Sequence, residues 1–146
     1  MTRSALVRRH LFVGWLAITV FIALGIALEA LHGFKVGFLL DVENDTRRMM
    51  WSLAHAHGTL LGLVNLALAF TALQIEAWAE FKMSLVSRAT LTATLFLPAG
   101  FFLGGLDAAG GDPGLGILLV PPGGLLLLGA AALVTHAIAR SEDSDR

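Results

Sequence analysis

Four side chains in the first half of the chain are of the types that hold metals: Glu29, His32, His55 and His57. Imidazole nitrogens with a carboxylate oxygen suit zinc, iron, copper or manganese, and two histidines from facing helices suit the axial positions of a haem iron. Glu29 and His32 stand at i, i+3, so both project from one helical face. At about 100° per residue, Trp51, His55, Gly58, Gly62 and Asn65 fall within one narrow stripe, and His57 points about 160° away from His55. A regular helix therefore cannot aim both histidines at one ion. One ring is expected to face the first helix and the other a different helix, a cofactor or a subunit partner, with Asn65 orienting a ring. The competing expectation is a buried hydrogen-bonded network of these groups with Asn65, Thr59 and Arg47 or Arg48. The two arginines suit headgroup anchoring equally well.

The elements that must position these residues are membrane spans. Of 146 residues, 56% are hydrophobic and 14% are charged. A soluble domain carries about a quarter charged residues, so this chain lacks the polar surface to face water all round. Four apolar segments, at about 11–33, 49–75, 84–106 and 115–139, are each long enough to cross ~30 Å of hydrocarbon as a helix. The connections are Phe34–Arg48, Glu76–Met83 and the Gly- and Pro-punctuated Asp107–Gly114. Their shortness predicts a single all-α domain, an antiparallel four-helix transmembrane bundle. In the first connection Phe34, Val36, Phe38, Leu39 and Leu40 are expected at the membrane interface. With no cysteine in the chain, disulfides, thiolate metal sites and thiol nucleophiles are excluded. The net charge of −1 gives no basic excess for nucleic acid.

Lys and Arg set the expected orientation. Arg3, Arg8, Arg9, Lys82, Arg88, Arg140 and Arg146 fall on one side, and Lys35, Arg47 and Arg48 on the other. Both termini are thus expected in the cytoplasm, in a bacterial inner membrane. A cleaved signal peptide ending near Gly25-Ile26-Ala27 is the alternative for the first segment. In the uncleaved bundle, Glu29, His32, His55, His57, Asp107 and Asp112 all belong to the outer half. The inner half then reads as apolar packing, with only the interfacial His136 standing out. The small-residue faces Gly58–Gly62 and Gly100–Gly104 predict close helix contacts. Pro98 is expected to kink the third span, and Pro121-Pro122 to interrupt the fourth about two turns in. Thr90, Thr92 and Thr94 can bond to their own helix.

The stretch from Trp51 to Gly62, WSLAHAHGTLLG, resembles the His-x-His helix of haem-copper oxidase and nitric oxide reductase catalytic subunits. It is also similar to small uncharacterised bacterial membrane proteins with a His-x-His element after a first helix. One histidine of such a pair ligates haem in the large oxidases, so the resemblance nominates His55 or His57 as a haem b ligand. It covers about a dozen residues. The further helices and metal-ligating histidine cluster of those enzymes are missing, so oxidase activity does not carry over.

Three readings follow. The first is a small redox-related membrane protein with a haem or transition-metal site in the outer half, built from Glu29, His32, His55, His57 and Asn65. A bundle this small has little room for a buried haem, so a homo-oligomer sharing the site is expected. The second is a non-catalytic subunit or assembly factor of a larger membrane complex. The third is a carrier or channel protomer in which Glu29 and the histidines relay protons. No hydrolase constellation is visible in the spacing.

Overall fold

The computed structural model describes residues 1–36, 44–75, 78–108 and 111–144. Four long helices follow in order: α1 Arg3–Gly33, α2 Asp45–Gln74, α3 Glu80–Leu106 and α4 Val120–Ser144, the last preceded by a 3-10 turn at Leu115–Leu119. They run antiparallel in sequence order. All four are long and apolar enough to cross a membrane, and the protein is a small four-helix integral membrane protein. Phe38, Leu39 and Leu40, expected at the interface, lie outside the described residues.

Each helix reaches past or shifts from the apolar run that announced it. α1 begins at Arg3 and not near Leu11, because the Thr2 hydroxyl caps it by accepting from the Ala5 N–H. Arg8 and Arg9 are carried on its exposed face, while Leu6, His10, Gly14 and Ala17 turn inward. At 31 residues α1 is about 46 Å long, so roughly 16 Å of it exceeds the hydrocarbon thickness. α2 opens at Asp45 under an Asn44 cap that accepts from Arg47 N–H. The fourth span differs from expectation. Pro121 and Pro122 do not interrupt a helix; they occupy the first turn of α4. There the missing N–H groups have no intrahelical partner to lose, and proline's fixed φ suits a helix start.

Packing follows small residues. Gly14 of α1 meets Gly62 of α2 so closely that a Cβ on either would sit 2.9 Å from the other's carbonyl oxygen. Gly58 receives the Phe21 ring and Gly25 receives the His55 ring. On the other side of α3, Gly100 and Gly104 face the 3-10 turn and the start of α4. These contacts match the expected glycine faces. α1, α2 and α3 pack together, and α4 docks on α3 alone: among the described residues no Cα of α4 lies within 8 Å of one in α1 or α2. Side chains bridge part of the seam instead. One cluster, at the end that holds both termini, joins Leu6, Leu68, Ala72, Ile75, Trp78, Met83, Val86 and Ala130. A second, towards the far end, joins Met50, Ala54, Leu61, Leu97 and Phe101.

The far end is tied by α2 to the C-terminus of α3. A helix leaves its last carbonyls without partners. Here Arg47 donates to the carbonyls of Gly105 (3.1 Å) and Leu106 (3.4 Å), and the Trp51 indole N–H donates to that of Phe102 (3.1 Å). Trp51 also stacks on Phe102, and Asn44 donates to Ala108 O at 3.1 Å. Arg47 is therefore a helix cap, neither a headgroup anchor nor a partner of Asn65.

Candidate functional site

Where three helices meet, the protein buries polar groups. His10 of α1, Asn65 of α2 and Ser87 of α3 are each 0% exposed. Asn65 donates from its amide nitrogen to Leu61 O (2.7 Å) and to Thr94 Oγ1 (2.8 Å), which fixes its Oδ1 as an acceptor. His10 Nδ1 therefore donates to Asn65 Oδ1 at 2.6 Å. In the neutral ring this leaves Nε2 to accept from the Ser87 hydroxyl at 2.9 Å. Thr94 passes its proton to Thr90 O at 2.8 Å, one turn back on α3. Every polar atom of the imidazole is matched.

This cluster lies in the half that contains both termini, where the sequence leads one to expect apolar packing. That expectation was wrong. His10 stands just before the apolar run that begins near Leu11, next to Arg8 and Arg9, and Ser87 carries no charge. The signal was available in the buried stripe Leu6, His10, Gly14, Ala17, whose 4-4-3 spacing continues the inward face of α1 backward past the arginines. Hydroxyl, imidazole and amide stand here in the connectivity of nucleophile, base and orienting group. Their complete burial seals Ser87 from any substrate, and the arrangement works as a tie between three helices.

The four residues proposed from sequence are not brought to one point. Among the described residues no three His, Asp or Glu side chains are close enough to hold a metal ion. Glu29 and His32 are exposed and share a cleft with Leu28, Arg48 and Ser52 at the far end of α1 and α2. His55 turns to α1: its ring lies against Gly25, and Nδ1 bonds the Phe21 carbonyl at 2.5 Å. His57 turns to α3: its ring leans on Phe101 with centroids 4.7 Å apart, and Nδ1 bonds the Leu53 carbonyl of its own helix at 2.9 Å. Asn65 orients a ring, but that ring is His10. Thr59 bonds the His55 carbonyl within α2, so the expected network of the outer groups is not formed either.

Both half-buried histidines nevertheless share one trait. A backbone carbonyl can only accept, so Nδ1 carries the proton in each, and Nε2 is left with a lone pair in the neutral ring. Neither Nε2 has a hydrogen-bond partner among the described residues. His55 and His57 lie about 15 and 18 Å along α2 from its start, well below the far end of the helix.

A second opening runs between α2 and α4. It is a cleft of about 240 Å³ with Thr90 of α3 on its wall, lined by Val64, Ala67, Leu68 and Thr71 from α2 and by Ala130, Ala131 and Val134 from α4. No protein family, curated protein or solved structure matches this chain.

Proposed function

We propose that this protein is a small redox-related membrane protein that holds a haem or transition metal jointly with a second subunit, each chain contributing one histidine of the pair His55 and His57. The observation that supports it is the Nδ1-to-carbonyl bond on both rings. Metal-bound histidines are regularly held this way, the second nitrogen's hydrogen bond fixing tautomer and orientation. A free imidazole nitrogen at this depth is costly in hydrocarbon and calls for a partner. Because the two rings diverge, one chain would supply one histidine to the bound group, and a copy or a partner subunit would supply the other. Bound haem would bring one-electron chemistry. The chain's own part is to orient the ligand and exclude water.

Purification from haem-replete cells tests this. A Soret band at one haem per two chains, lost in either His55→Ala or His57→Ala and kept in the other, is the expected result. Protein with neither a Soret band nor stoichiometric metal overturns it.

The open seam between α2 and α4 favours a second reading, a non-catalytic subunit of a larger membrane complex. Its lining includes Ala67, Thr71, Thr90, Ala130 and Ala131, small side chains of the kind that let another helix approach. Cysteine pairs across a reconstituted assembly would report a helix seated there. Unhindered labelling of Cys at position 131 in native membranes would count against it.

A further inference from the structure

We propose that the cleft formed by Leu28, Glu29, His32, Arg48 and Ser52 is a binding site for the headgroup of a zwitterionic phospholipid bearing a primary ammonium. This does not rest on the histidine reading, which uses other side chains.

Depth is the first argument. Glu29 lies four residues from the end of α1, and Arg48 three residues from the start of α2. These positions are about 5–6 Å below the helix ends. Centred on ~30 Å of hydrocarbon, α1 would extend about 8 Å beyond it on each side. The cleft thus falls at the boundary between acyl chains and headgroups. Below it the exposed face of α1 is apolar, with Ile26 and Ile22 open to lipid, and Met49 is exposed beside Arg48. A lipid headgroup seated in the cleft has acyl-chain surface at hand, which a free phosphate would not need.

Charge is the second argument. The cleft offers a carboxylate, a guanidinium, an imidazole and a hydroxyl beside the apolar Leu28. Arg48 also pairs with Asp45 at 3.2 Å, both partly or fully in solvent, an ion pair too weak to withdraw it from a phosphate. Guanidinium and imidazole suit the phosphate, and the Glu29 carboxylate suits an ammonium with N–H donors. A choline headgroup has no N–H to give, and a glycerol headgroup has no positive charge. The cleft has a volume of about 180 Å³ and opens to the surface.

The test is native mass spectrometry of the full chain in detergent with equimolar phosphatidylethanolamine, phosphatidylcholine and phosphatidylglycerol. Phosphatidylethanolamine is expected to be retained about tenfold over the other two, the factor of one charge-assisted hydrogen bond. Glu29→Gln should bring the ethanolamine-to-choline ratio close to one, and Arg48→Gln should lower retention of all three lipids. Both residues are on the surface, and unchanged helicity confirms folded variants. Equal retention of the three lipids by the unaltered chain overturns the proposal. So does a preference that survives Glu29→Gln, or zinc binding at the cleft without lipid preference. Free phosphoethanolamine at millimolar concentration should not displace the lipid; if it does, the acyl surface is irrelevant and the lipid assignment fails.

Discussion

Two polar regions of this protein are built from similar side chains and behave in opposite ways. His10, Asn65 and Ser87 sit where three helices cross, joined through the imidazole, with the Asn65 amide nitrogen satisfied by Leu61 O and Thr94. Glu29, His32, Arg48 and Ser52 sit where two helices part and share almost no hydrogen bonds. Residue type does not decide the difference. A histidine is central to each, and the sealed one is set between glycine-tightened helices. Burial without a partner is the costly state, so the sealed region had to be complete. The open region can leave its groups for a ligand because water and headgroups already solvate them.

The comparison is broken most severely at Asn65. Asn65→Ala leaves His10 Nδ1 without a partner inside the fold, removes the donor to Thr94 Oγ1 and opens a void, and should lower stability by about 2–3 kcal/mol in a reversible unfolding titration. A loss below about 0.5 kcal/mol would show that the sealed cluster is not a tie. Ser87→Ala removes one hydrogen bond, a smaller change, and should cost about 1 kcal/mol by the same measurement; membrane hydrogen bonds often fall near or below that value. At the open region Arg48→Gln should alter stability by no more than about 0.5 kcal/mol, since its ion pair with Asp45 is exposed. A larger effect would mean that the cleft supports the fold and is not free for a ligand.

The architecture was legible because four long apolar runs and three short connections admit few arrangements, and the glycine faces Gly58–Gly62 and Gly100–Gly104 mark real contacts. Boundaries were less legible. An exposed pair of arginines ends an apolar run but not a helix, so α1 runs on to its Thr2 cap. Two prolines look like a break until the turn before them is known to be 3-10. The divergence of His55 and His57 followed from helix geometry alone. Their neighbours did not, because which carbonyl each ring meets depends on how closely α1 and α3 approach. His10 was missed for the same reason in reverse. Counting from the first uncharged residue set the span too late, and a buried stripe shows only when helix phase is followed through charged positions.

One consequence of the His10 seat concerns synthesis. The chain emerges from its N-terminus, and the glycine contact at Gly14 and Gly62 lets α1 and α2 join before α3 is made. An α1–α2 pair formed in that order would hold His10 on Asn65 with the ring's Nε2 unmatched until Ser87 arrives. A rotation of α3 by one residue would carry Ser87 about 100° away. The bond from Ser87 to the imidazole thus fits one rotation and one depth of α3, the helix on which α4 docks.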